Sequence, residues 1–322
     1  MQVKSNYDQR KVVGYLKAAI SSNRVAHTYL FIGPLGVDKL RIAKDFAKAL
    51  NCLKGSFGQD CSCQHCLLID KSQHPDMMVF NSEDNTIKIN DIRQIQEKII
   101  LRPYMAKTKV VVVPDIERLT NEASNCFLKT LEEPAKNTVI ILTVSSASLV
   151  LPTILSRCHK INFSCSAKDE VAVWLKDNLG LEKKRCDCLA SFTSGRLSLA
   201  MELENNNFFE LRDKIINSFL ESKRRILDSD FLSQISAKGD INLVFSIILT
   251  YLRDMRILKS AQSNIALVNS DIEDKLRQST EGITLIDIDK ATDELLKTVN
   301  NIDSNLNIKL FLNYLSSKLT RM

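Results

Sequence analysis

The sequence predicts an α/β domain built on a mostly parallel sheet, followed by a largely α-helical remainder. Two observations carry this expectation. In the first half, short apolar runs alternate with helical patterns: TYLFIG (28–33), DMMVF (76–80), KVVVV (109–113), NTVIILTV (137–144) and HKINF (159–163). From about residue 164 the strand pattern fades, and apolar residues recur at helical spacing instead.

TYLFIG ends at a glycine loop, and KLRIAKDFAKALN (39–51) then carries Leu40, Ala43, Phe46, Ala47 and Leu50 at helical spacing. That is strand, loop, helix. After a cysteine-rich interruption, the run at 76–80 predicts a second strand and NDIRQIQEKIIL (90–101) a helix with Asn90 as its N-cap. KVVVVPDIERL (109–119) opens with a β-branched run too apolar for a half-exposed strand, so it belongs in the middle of the sheet. The next helix (120–134) is opened by Thr120 and stopped by Pro134, and strands at 137–144 and 159–163 complete the pattern. Val171, Trp174 and Leu175 mark a helix in a small segment that runs to about residue 206. Beyond it, 211–227, 241–260, 286–302 and 306–319 are amphipathic and free of interior glycines, which predicts a helical bundle.

A chain of 322 residues is long for one core and suggests two or three domains. Its 44% hydrophobic and 25% charged residues are those of an ordinary globular protein, and no segment is long and apolar enough to span a membrane. MQVKSNYDQRKVV at the start has no apolar signal core, so a cytoplasmic protein is expected. The net charge of +6 fits a nucleic-acid neighbourhood and equally a plain basic surface. Nine cysteines, an odd number, point to reduced thiols, some of them holding metal. His27, His65, His74 and His159 are scattered, so no nucleophilic triad is evident. Aromatics interleaved with basic residues are absent, which argues against direct reading of DNA sequence.

Chemistry centres on FIGPLGVDKL (31–40). A phosphate-binding loop reads G-x-x-x-x-G-K-[ST], its backbone N–H groups cradling phosphates, its lysine reaching the terminal ones and its hydroxyl on Mg²⁺. Gly33 and Lys39 fit, whereas Asp38 replaces the second glycine and Leu40 the hydroxyl. A tight strand-to-helix connection without any ligand is the alternative. Asp38 brings negative charge to the place of a phosphate, so weak binding is compatible with the loop and hydrolysis is not. The acid that helps hold Mg²⁺ normally ends an apolar strand, but here Pro114 follows the run. Asp115 is a shifted substitute, although a one-residue shift on a strand turns the side chain to the other face. The two defects agree on an inactive nucleotide site.

Cys52, Cys61, Cys63 and Cys66 fall within fifteen residues, in CLKGSFGQDCSCQHC. Four thiolates suit tetrahedral Zn²⁺ in a closed structural site, and four reduced surface thiols are the alternative. The Cys61–Cys63 step is tighter than the usual C-x-x-C, which leaves His65 as an alternative to one sulfur. Arg157, in LPTILSRCHKINF, is either a salt-bridging surface residue or, at a domain edge, a finger offered to a neighbour's γ-phosphate. Arg196, in TSGRLSLAM, reads as a helix-end residue or as one leaning over the nucleotide face. Glu132 and Glu133 read as a solvated helix end.

RVAHTYLFIGPLG, the cysteine cluster, HPD (74–76), IKINDIRQI (87–95), KVVVVPDIERLTNEASNCFLKTLEEP and LPTILSRC, in this order, resemble the clamp-loader AAA+ family of bacterial replication. YLRDMRILK (251–259) and NLNIKLFLNYL (305–315) extend the resemblance over nearly the whole chain. It implies an AAA+ α/β module over 1–163 with a zinc-binding insertion at about 52–66, a helical lid over 164–206 and an oligomerising helical collar over 207–322. It further implies that Cys52, Cys61, Cys63 and Cys66 hold structural zinc and that Arg157 completes the ATP site of an adjacent subunit. Arg196 falls near the lid's sensor arginine, and Gly33, Gly36 and Lys39 keep the positions of a loop that binds nucleotide weakly or not at all.

The function so implied is that of a non-hydrolysing stator, with ATP bound by its neighbour. Its partners would be gamma/tau-like and delta-like subunits, a sliding clamp and primer-template DNA reached through the assembly, with no membrane. The competing expectation is a self-sufficient, gamma/tau-like AAA+ ATPase using Lys39 and Asp115 in an atypical site. A zinc-containing interaction module unrelated to replication is the third.

Overall fold

A computed structural model of the chain describes residues 9–55, 57, 61–81, 84–220, 238–260 and 265–300. Two compact units divide it, Met1–Ser166 and Ala167–Met322.

The first unit holds five strands, β1 (Thr28–Ile32), β2 (Met77–Val79), β3 (Lys109–Val113), β4 (Thr138–Val144) and β5 (His159–Asn162). They form one sheet in the order β2-β3-β4-β1-β5, and every pairing is parallel. Strand alternation sorts the side chains into two cores. Tyr29, Phe31, Val110, Val112, Val139, Ile141 and Ile161 pack with residues of α1 (Arg10–Ser21) and α2 (Lys39–Asn51). Leu30, Val111, Val113, Ile140, Leu142 and Val144 pack with residues of α4 (Ile89–Ile100) and α5 (Asn121–Glu132). With both faces covered, β3 and β4 are buried along their whole length, which is why their sequences read as unbroken apolar runs.

Several boundaries differ from the sequence expectation. The helix expected from 90 begins at Ile89, and its N-cap is Lys88 rather than Asn90. Asp91 explains the shift, since its carboxylate accepts the Lys88 N–H at 2.7 Å and satisfies a donor the helix leaves open. Thr120 caps α5 as expected, accepting the Ala123 N–H at 3.2 Å, and the helix stops at Glu132 ahead of Pro134. Only 109–113 of KVVVVPDIERL is strand; after Pro114 the chain turns into a single 3₁₀ turn, Ile116–Arg118. The helices α1 and α3 (Gln64–Asp70), and the short α6 (Pro152–Leu155), carry no sequence expectation.

The described part of the second unit is helical: α7 (Lys168–Leu179), α8 (Lys183–Phe192), α9 (Leu197–Asn205), α10 (Phe208–Leu220), α11 (Lys238–Lys259), α12 (Glu273–Thr280) and α13 (Leu285–Asn300). Buried Arg212 donates to both carboxylate oxygens of Asp271, at 2.8 and 2.7 Å, and lies over the Phe209 ring. Asp254, in the YLRDMRILK stretch, has no exposed surface and accepts the N–H groups of Val268 and Asn269 at 3.1 and 2.7 Å. That carboxylate ties the turn before α12 to α11. The expected helix at 306–319 and the end of the one at 211–227 lie outside the described residues. Among the described residues, no helix is long and apolar enough to cross a membrane.

Candidate functional site

Because all five strands run the same way, the loops after β1, β3 and β4 share one edge of the sheet. The strand order changes direction at β1, which has β4 on one side and β5 on the other, and such a switch point is where open parallel sheets bind ligands. The β1 loop is set by packing and by backbone hand. Gly33 donates its N–H to the Val144 carbonyl at 3.1 Å, and a Cβ there would stand 2.7 Å from the Phe163 carbonyl and 2.8 Å from the Phe163 Cβ. Glycine is required for that close approach. Gly36 (φ 84°) and Asp38 (φ 60°) are left-handed, a conformation natural to glycine and tolerated by aspartate. Asp38 thus keeps the backbone shape where the motif has glycine, and its carboxylate pairs with Arg41 at 3.0 Å.

Lys39 is buried, and its ammonium donates to the carbonyl of Gly33 and, at 2.9 Å, to that of Pro34. Burial lowers its pKa, and the nearby Asp115 and Glu117 carboxylates oppose that shift. Asp115 is left-handed too (φ 50°); its N–H bonds Thr143 Oγ1 at 3.2 Å, and burial, then Glu117, push its carboxyl upward. Glu117 Oε1 accepts the N–H and hydroxyl of Ser145, at 3.0 and 2.6 Å. The lysine is spent on its own loop, and Leu40 and Pro114 offer no ligand to Mg²⁺. Glu117 has no role assigned from the sequence; its signal is the pairing of an acid after β3 with a hydroxyl after β4.

The cysteine cluster lies at the opposite edge, where α2 ends. The sulfurs of Cys52, Cys61, Cys63 and Cys66 all lie within 4.8 Å of one another, with Cys52 at 3.6 Å from Cys61 and 4.0 Å from Cys63. Tetrahedral Zn²⁺ with bonds of about 2.3 Å sets its sulfurs about 3.8 Å apart, so the donor set fits a metal. Burial raises the Cys63 thiol, but hydrogen bonds from the backbone N–H groups of Cys66 and Leu53 and from the Cys66 and Cys61 side chains together turn the net shift downward. His65 turns elsewhere: its Nδ1 is 2.9 Å from His74 Nε2, and His74 Nδ1 accepts the Asp76 N–H at 3.0 Å. Asp76 is buried and accepts three successive N–H groups, from Tyr104, Met105 and Ala106, at 2.7, 2.8 and 2.8 Å. Burial would raise its carboxyl; those three donors hold it below the usual carboxylate range. In the sequence HPD carries a resemblance and no more, and the structure adds this clamp.

Arg157 follows α6 and pairs with Glu132, the last residue of α5. Arg196 caps α9 in the second unit, its Nε donating to the Thr193 carbonyl at 2.7 Å.

The family described as "DNA polymerase III, delta subunit" matches residues 8–167. The delta′ subunit of Bacillus subtilis DNA polymerase III is 25% identical over 314 residues, which are 95% of this chain and 94% of that protein. The tau/gamma subunit of Haemophilus influenzae is 27% identical over 69% of this chain, but the chain spans only 33% of its length. Among solved structures, a DNA polymerase III gamma subunit-related protein of Thermotoga maritima shares the fold, with a TM-score of 0.51, 18% identity, and 96% of this chain and 98% of that one covered. Identity alone does not separate delta′ from tau/gamma; coverage does, and together with the family match over 8–167 it makes the chain similar to the delta′ subunit of DNA polymerase III over nearly the whole length of both.

Proposed function

We propose that the chain is a non-hydrolysing subunit of a DNA polymerase III clamp loader, acting as a stator and lending Arg157 to the ATP site of an adjacent subunit. In this reading residues 1–163 are the AAA+ module, 164–206 its lid and 207–322 the collar. Cys52, Cys61, Cys63 and Cys66 hold a structural zinc, and Arg196 serves the lid. The partners are gamma/tau-like and delta-like subunits, and through them a sliding clamp and primer-template DNA in the cytoplasm.

The observation that carries the reading is the state of Lys39. Its ammonium is bonded to the Gly33 and Pro34 carbonyls, with Asp38 at the glycine position and Leu40 at the hydroxyl position. Such a loop keeps its shape and lacks the groups that handle Mg-ATP. Arg157→Ala in the reconstituted assembly is expected to slow hydrolysis at the neighbouring site about 10³-fold or more. Single-turnover ATP hydrolysis with primed DNA reads this, and an unchanged rate would remove the finger role. The isolated chain should not turn over Mg-ATP; turnover abolished by Lys39→Ala would instead favour the self-sufficient ATPase.

A further inference from the structure

The guanidinium of Arg157 does not stand free at the surface. Its Nε donates to Glu132 Oε1 at 2.6 Å, and Nη2 donates to the same oxygen. Its Nη1 donates to the Thr153 carbonyl at 2.7 Å and to Ser156 Oγ at 3.3 Å. A guanidinium has five N–H donors, so these bonds leave a single Nη2 hydrogen for any phosphate. The carboxylate also cancels the positive charge an incoming phosphate would meet, and repels the phosphate itself. Nη1 is anchored by Thr153 and Ser156, from Arg157's own turn, independently of Glu132. Removing the carboxylate therefore frees Nε and Nη2 while the guanidinium stays oriented.

We propose that Glu132 is the positioning residue of Arg157: it parks the guanidinium in a neutralised pair, which a phosphate presented by a neighbouring chain must displace. This rests on the reading of Arg157 as a finger. The pair is exposed, at 32% for the arginine side chain and 48% for the glutamate, and such pairs shift an equilibrium by no more than about fivefold. Parking thus lowers the availability of the finger without abolishing it, as expected of a contact that must break in each cycle.

The test uses the reconstituted assembly carrying Glu132→Gln, Glu132→Ala or Arg157→Ala in this chain. Both Glu132 variants are expected to raise hydrolysis at subsaturating ATP by up to about fivefold, through a lower KM with kcat little changed. Their advantage over the wild type should close as salt is raised, because an exposed ion pair is screened. A gain of this kind cannot come from misfolding. Rates at or below wild type in both variants, with Arg157→Ala still slowing hydrolysis, would overturn the parking role and leave the finger in place. If Arg157→Ala also has no effect, the finger reading itself falls.

Discussion

The two edges of the sheet in the first unit carry opposite kinds of site. At the edge where the strands end, the Lys39 ammonium bonds its own loop and Glu117 Oε1 bonds Ser145, so these two groups are engaged within the chain. At the other edge four sulfurs, two half-buried and two buried, converge within 4.8 Å. The difference separates shape from chemistry. The β1 loop keeps the form of a phosphate-binding loop because that form rests on the packing of Gly33 and the left-handed backbone of Gly36 and Asp38, none of which needs a ligand. The cysteine cluster, by contrast, offers four donors at the spacing a tetrahedral cation asks for.

The sharpest way to break this contrast is to remove the cation. If zinc holds the four thiolates, the isolated protein contains it in equimolar amount, and Cys66→Ser or strong chelation destabilises the chain by on the order of 5 kcal/mol. Metal analysis with thermal melts in and out of chelator reads both. A metal-free protein with an unchanged melting midpoint would put the cluster on the same footing as the loop.

A smaller effect is expected at Asp76, which fixes the 104–106 segment at the same edge. Asp76→Asn replaces an acceptor of three N–H groups by an amide that accepts fewer and loses the charge, a cost of about 2–4 kcal/mol in denaturant unfolding. Its pH dependence has a definite sign. The folded carboxyl is held below its ordinary value, so the unfolded chain binds the proton first and the stabilisation is lost as pH falls. It is complete above about pH 4 and fades below, so the gap between wild type and variant should shrink there. A gap that widens in acid would contradict the clamp.

How far these sites are legible in the sequence depends on the kind of determinant. β3, β4 and α2 are legible because burial on two faces, or on one helix face, writes a periodicity into the chain. The cysteine quartet is legible because its residue type is rare and its spacing short. What stays hidden are contacts between segments far apart in sequence: Glu132 with Arg157, Glu117 with Ser145, Asp76 with the 104–106 backbone. None has a local pattern, since each partner looks like an ordinary polar residue until the sheet brings them together. Asp38 reads in sequence as a defect in charge; its left-handed backbone, which preserves the turn, has no signature beyond the tolerance of aspartate for that conformation.

The smallest effect belongs to Lys39, and for that reason it tests the comparison most directly. Lys39→Met keeps most of the buried stem and removes the ammonium. The Gly33 and Pro34 carbonyls lose a donor, while the cost of burying a charge disappears, so stability should change by no more than about 1 kcal/mol. Urea unfolding of both proteins with and without Mg-ATP gives the decisive reading. A ligand that binds only the folded state raises stability in proportion to the logarithm of its saturation. In a loop that no longer takes nucleotide, ATP shifts the midpoint of neither protein. If ATP stabilises the wild type and the shift disappears in Lys39→Met, the lysine is still meeting phosphate, and the β1 loop is a working site held closed by its own carbonyls.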